Sequence, residues 1–397
     1  VGSEMCIRDR FGTNDFIEYW TAFRLLISQT NPYDPALMQQ LQQTLGWSEQ
    51  NPLMMWNPPW LLVIMAPILM LDFPQAATAW LLLNLVLLAS IIFFCLDLIG
   101  FSSLSRLQRY LSIPITLSFF PLYTSLAVGQ LGVLLAFAFI GAIWSIIQKR
   151  RFFGTCCLAL WTVKIHLFIP IAVFLFLRSL RNHELWTFFI GALLVLGMIL
   201  LETEYYHPGA IHQRSNAFSA SKQSANVIVV ERWESATFTC GARLLFSDGD
   251  HLPVWLMFFV PAAAIITTAL VTIRLGSRLG YLEGSFLSAL FSMTLGPFGW
   301  VFDFTILLPG YLTCVVRSLA PSIQVSVTRR VALITPLLFV QLFGWICRPL
   351  LKEHHLYMWF PPMLSLATAY CLLRSRYPLP PFQTKSKSSQ WNIYRRK

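Results

Sequence analysis

Three charged groups, Asp15, Lys164 and Asp303, stand where their surroundings call for a chemical explanation. Asp15 opens the stretch D-F-I-E-Y-W-T-A-F-R-L-L-I-S-Q-T-N-P-Y-D-P, residues 15–35. A carboxylate at a membrane–water boundary is placed to act on a lipid-linked substrate. As a general base it would take the proton from an acceptor hydroxyl as that oxygen attacks an anomeric carbon. Asp15-x-x-Glu18 also has capping-box spacing, so a plain helix-capping role competes with the catalytic one. Lys164 sits in the apolar run L-A-L-W-T-V-K-I-H-L-F-I-P. A buried ammonium costs at least about 2.5–3.5 kcal/mol at mid-membrane, so it needs a cavity or a counter-charge. It can serve a phosphate group or a structural ion pair. Asp303, in G-P-F-G-W-V-F-D-F, is either a site group or the partner of Lys164,. His166 reads as a packing residue.

The elements that must position these groups are membrane helices. The chain has 397 residues, 56% hydrophobic and 12% charged, with a mean hydropathy of +0.60. Soluble domains carry about 25% charged residues, so this is an integral membrane protein. Its net charge of +11 reads as a basic cytoplasmic side and not as a nucleic-acid surface,. Most of the eight cysteines fall in apolar segments, which gives neither a disulfide framework nor a zinc site,.

Phe16, Tyr19, Trp20, Phe23, Leu26 and Ile27 recur on a helical period, with Glu18, Thr21, Arg24 and Ser28 on the opposite face,. This predicts an external amphipathic helix lying along the membrane surface, with Tyr19 and Trp20 at headgroup depth. N-P-Y-D-P ends it as a turn. The expected fold is all-α, a polytopic transmembrane bundle of about 9–11 segments, several short or broken by proline. Residues 1–10 do not read as a native start and are set aside as a tail. Residues 11–373 read as one membrane domain, with external loops at 11–57 and 203–253, and residues 374–397 as a basic cytoplasmic tail,. Arg178 and Arg181 then lie inside, as does Lys149-Arg150-Arg151, so 154–177 must enter and return with Lys164 near the top of a hairpin. Gly129-Gln130 falls at an external apex. Parity further requires one of 58–72 or 76–96 to be a half-span. Glu204-x-x-His207, Asp248-Gly-Asp250 and Glu353-His354-His355 are weak metal signals, and no metal or other cofactor is implied,.

Several stretches resemble one family: D-F-I-E-Y-W-T-A at 15–22, N-P-Y-D at 31–34, N-P-P-W-L-L at 57–62 with A-P at 66–67, G-Q at 129–130, K-I-H-L-F-I-P at 164–170, and G-P-F-G-W-V-F-D-F-T-I-L-L-P at 296–309. Together they are similar to the polytopic glycosyltransferases of the C superfamily, specifically glycosyltransferase family 87. Asn57 departs from the family's usual aromatic before the proline pair. The resemblance implies transfer of a sugar, often mannose, from a polyprenyl-phosphate carrier to a lipid or glycan acceptor, on the non-cytoplasmic face of a bacterial inner membrane. It implies Asp15 as base, Lys164 as the contact to the carrier phosphate, and Asp303 and Trp300 as cavity residues, with Tyr19 and Gln130 as further substrate-binding positions. A transporter or flippase using Lys164 and Asp303 as a substrate or proton pathway is the alternative.

Overall fold

The computed structural model describes residues 12–100, 104–221, 235–247, 253–275, 280–319, 327–351 and 354–374. Their regular structure is all helix, with no strand among the described residues. In order the helices are α1 (Phe16–Ile27), α2 (Pro35–Thr44), α3 (Trp60–Leu69), α4 (Phe73–Ile99), α5 (Arg106–Leu117), α6 (Phe120–Val128), α7 (Gly132–Gln148), α8 (Arg151–Leu160) and α9 (Ile165–Ser179). They are followed by α10 (Glu184–Tyr206), α11 (Ala210–Ser221), α12 (Phe238–Leu245), α13 (Leu256–Leu275), α14 (Tyr281–Leu295), α15 (Leu308–Leu319), α16 (Val327–Cys347) and α17 (Phe360–Arg374). Short 3₁₀ turns at Trp161–Lys164 and Val301–Leu307 precede α9 and α15.

By length and composition, six described helical stretches can cross a membrane, or seven if the bent pair α5–α6 counts as one span. That is fewer than the nine to eleven expected. Several apolar segments form helices too short to cross alone, such as the 10 residues of α3 and the 15 of α14,. The side of α10 bearing Leu193, Leu194, Met198 and Leu201 is exposed, as a lipid-facing surface should be,.

Side-chain contacts bear on two points that the sequence left open. The first is the half-span. Tyr19 on α1 is 3.5 Å from Asn57, which precedes α3, while neighbouring Trp20 donates its indole N–H to the Leu71 carbonyl, which follows it. Both ends of α3 therefore reach the same stretch of α1, and a helix of 10 residues rises only about 15 Å, short of a full span,. The 27 residues of α4, by contrast, are long and apolar enough to cross.

The second is the stretch Arg151–Ser179, which is long enough for a single span. It doubles back. Lys149 bonds Glu184 at 3.0 Å, Gly154 abuts Phe188, and Gly191 abuts Thr155, so α8 and α10 run side by side in the same direction. Phe176, near the end of α9, meets Trp186 near the start of α10 at 5.5 Å. α9 must therefore run back towards the end where α8 begins, packing on α13 and α14. Lys164 sits at the apex, where the backbone leaves the helical region at φ −134 and ψ 64. Trp161 and Phe168 stack across this turn at 4.8 Å.

The bundle thus has two unlike ends. Trp80 donates to the Gly129 carbonyl near the start of α4, and Trp144 donates to Asp97 near its end, so α4 and α7 run parallel. Asp15, Gln130, Lys164 and Asp303 all belong to the end where α4 and α7 begin. Lys149, Arg150, Arg151, Arg178 and Arg181 belong to the other, basic end.

One expectation fails in detail. α1 does not lie along a surface with a wet polar face: Glu18 is 6% exposed and Thr21 fully buried. α2 folds back over that face, and Gln42 on α2 reaches Thr21 at 3.4 Å. On the apolar face Phe16 stacks on Trp80, and Trp20 meets Phe73 edge-on. Only Arg24, Ile27 and Ser28 towards its end lie at or near solvent. The helix is inserted into the protein rather than laid against the bilayer.

Candidate active site

The site is assembled by three non-helical joints: the entry to α1, the α6–α7 corner and the segment before α15. The entry to α1 is held by backbone. Gly12 N–H donates to the Ala127 carbonyl and Asp15 N–H to that of Val128, each at 2.7 Å. The corner itself turns on Gly129, whose φ of +79 favours glycine and whose Cα lies against the Gly12 carbonyl,. Gly132, three residues on, leaves room for the Phe302 carbonyl, so the segment carrying Asp303 seats against the start of α7. Thr305 fixes it further, donating to the Pro121 carbonyl at 3.0 Å.

Asp15 precedes α1, but its side chain makes no capping hydrogen bond. Its Oδ2 instead accepts from Gln130 Nε2 at 2.9 Å. Gln130 Oε1 in turn accepts from the Tyr19 hydroxyl at 2.8 Å, and Asn57 approaches that hydroxyl at 3.5 Å. The chain Asn57, Tyr19, Gln130, Asp15 therefore orients the carboxylate. Both ends of the Gln130 amide are engaged by protein, which ties Gln130 and Tyr19 to Asp15.

Glu18 lies one helical turn beyond Asp15,. Burial pushes the Asp15 carboxyl up to about 6, against the Gln130 hydrogen bond and the positive charge of Lys164, which hold it down. Burial, reinforced by the charge of Asp15, pushes Glu18 up to about 8, opposed by Tyr19, Lys164 and Gln130. Near neutral pH burial and like charge favour one proton on the pair, with Asp15 its more acidic member,. Asp15 remains half-buried, with part of its surface accessible.

Lys164 and Asp303 form a buried ion pair, Nζ to Oδ1 at 2.7 Å. The other oxygen of Asp303 accepts the Trp300 N–H at 3.1 Å, and its own N–H donates to the Trp300 carbonyl at 2.9 Å. Lys164 also lies over the Phe302 ring at 5.1 Å and the Trp300 ring at 5.8 Å, within cation–π range,. One carboxylate leaves other ammonium hydrogens of Lys164 for a ligand. The pair and the Asp15 cluster share one electrostatic neighbourhood, since the charge of Lys164 acts on both Asp15 and Glu18.

An apolar groove of about 340 Å³ lies between α9, α13 and the end of α14, reaching His166, two residues on from Lys164. Ile169, Pro261, Ile265 and Phe298 line it, with His166 and Ser292 as its polar members. Phe298 stacks on Trp300 at 6.5 Å and Trp300 on Phe302 at 6.0 Å, which joins the groove to the rings under Lys164.

The sequence did not single out Glu18, Asn57, Phe298 or Phe302 as site residues. The i, i+3 spacing of Asp15 and Glu18 was the available signal for the first. The other motifs weighed as metal signals lie elsewhere or are structural. The Glu204 carboxylate accepts the N–H of Gly209 at 2.7 Å, and His207 pairs with Gln213 at 3.0 Å. Asp248-Gly-Asp250, Glu353, most of the charged groups of the 203–253 loop, residues 1–10 and residues 375–397 lie outside the described residues.

A family model described as Glycosyltransferase family 87 matches residues 56–297, more than half of the 397, and the chain belongs to that family. The matched stretch contains Gln130 and Lys164; Asp15 and Tyr19 precede it, and Trp300 and Asp303 follow it. No curated protein and no solved structure matches.

Proposed function

We propose that this member of glycosyltransferase family 87 moves a mannose-like hexose from a polyprenyl-phosphate carrier to a hydroxyl of a lipid or glycan acceptor. The reading rests above all on one observation: a half-buried carboxylate, held by Gln130 and lifted to about 6, shares its end of the bundle with Lys164 and an apolar groove. A base with a pKa just below neutrality is ionised yet still basic enough to accept a proton.

In this mechanism the acceptor hydroxyl gives its proton to the free oxygen of Asp15 while its oxygen bonds to the anomeric carbon. The bond from that carbon to the phosphate oxygen breaks, and its electron pair leaves with the carrier phosphate. Lys164, steadied by Asp303, offsets the charge that develops there. Attack opposite to departure inverts the anomeric centre. Trp300 and Phe302 form the aromatic wall beside the ammonium. No metal is required in the scheme.

The basic end, with Lys149, Arg150, Arg151, Arg178 and Arg181, suits the cytoplasmic side of a bacterial inner membrane, which turns the site to the opposite face. The lock between Lys164 and Asp303 at 2.7 Å weighs against a transporter that uses them as separate stations. The test is transfer by purified protein supplied with either a polyprenyl-phosphate hexose or a nucleotide hexose. Transfer from the former is expected; transfer from the nucleotide sugar alone would reject the reading.

A further inference from the structure

The role of His166 is open. It follows Lys164 by two residues, on the first turn of α9, and lines the apolar groove. Its ring meets Phe298 edge-on at 6.2 Å. Its Nε2 is buried and has no hydrogen-bond partner among the described residues. The other polar side chain of the groove, Ser292, is already engaged, donating to the Leu167 carbonyl at 2.7 Å. An unsatisfied buried nitrogen costs about 1–3 kcal/mol, so a groove that keeps one beside an otherwise apolar wall is arranged for a ligand with a hydrogen-bonding group at that point.

A packing role alone does not explain it, because a phenylalanine would fill the same space without an orphaned nitrogen. The position also fits an amphiphile. The groove takes a chain, the rings of Phe298 and Trp300 continue towards Lys164, and a headgroup lying between the ammonium and the imidazole would satisfy both. We propose that His166 is a binding residue for the phosphate of the lipid-linked donor, donating from Nε2 to a non-bridging oxygen while Lys164 holds another. This rests on the donor proposed above and adds a second contact to it.

The experiment compares equilibrium binding of a polyprenyl monophosphate with that of the free polyprenol of equal chain length, in detergent micelles. The wild-type chain is expected to prefer the phosphate. His166→Phe, which keeps a ring against Phe298, should lose about tenfold of that preference with polyprenol binding unchanged, the loss of one hydrogen bond to a charged group. His166→Gln, which retains a donor, should recover part of it. His166→Leu reads the same comparison should the phenylalanine variant not fold. An unchanged preference in the donor-less variants, or equal loss for both ligands, overturns the role of His166 and leaves the donor reading intact. A wild-type chain without preference for the phosphate overturns both.

Discussion

Replacing Gln130 with leucine removes the hydrogen bond that holds the Asp15 carboxylate at 2.9 Å while nearly preserving side-chain volume. The Gln130 amide favours the ionised form of Asp15, and burial opposes it; the balance stands at about 6. A hydrogen bond to a charged group contributes about 1.5–3 kcal/mol, and one pH unit corresponds to about 1.36 kcal/mol. Losing it should therefore raise the acid limb of the pH–rate profile by about one to two pH units. At about pH 7 the ionised fraction would drop by about two- to tenfold, whereas at about pH 9 Asp15 would again be ionised and most of the rate restored. The assay is sugar transfer from a polyprenyl-phosphate hexose, with kcat/KM followed across pH. An acid limb that stays in place or moves down refutes the claim that Gln130 favours the ionised form of Asp15. A rate lost equally at both pH values would mean that Gln130 acts through geometry and not through the ionisation of Asp15.

Further consequences follow from the same contacts. Glu18 titrates higher in the folded chain, about 8 against the usual 4.5, so the folded state keeps a proton that the unfolded chain has released, and stability falls as pH rises through that window,. Glu18→Gln should raise Tm relative to the parent at about pH 9 and change it little at about pH 4.5, as differential scanning fluorimetry in detergent can show; equal shifts at both would exclude a titrating Glu18. Lys164→Met leaves Asp303 buried without its partner and should cost about 3–5 kcal/mol, while Lys164→Met with Asp303→Asn should be less destabilised than Lys164→Met alone,. A double variant worse than the single one would show that the pair is not the dominant contact of either group. Gly132→Ala should lose both folding yield and activity, because the added methyl meets the Phe302 carbonyl and the Ser125 hydroxyl; normal expression and turnover would mean that this joint yields.

The helical, membrane-spanning character was legible because it depends on composition and run length, which are local. The basic clusters at 149–151 and at Arg178 and Arg181 already demanded that the chain between them return, and the Lys149–Glu184 contact agrees,. What the sequence left open was non-local. That α3 stops at 10 residues with both of its ends reaching α1 depends on contacts that no periodicity encodes. Glu18 and Thr21 fell on a polar face that a surface helix would wet; their burial depends on α2 folding over them. Lys164 and Asp303 were each conspicuous as a charge in an apolar run, and their pairing across 139 residues was one of two readings. The orphaned nitrogen of His166 became visible only once the groove around it was in place, since its residue type alone favours ordinary packing.

The most direct test of the central claim is the turnover of Asp15→Asn at saturating polyprenyl-phosphate hexose, in membranes where the variant is inserted to the same level as the parent. Asparagine keeps the size of the side chain and can still meet Gln130, but it cannot accept the proton. The account predicts a loss of about 10²–10⁴-fold with donor binding retained. Turnover equal to that of the parent would contradict it.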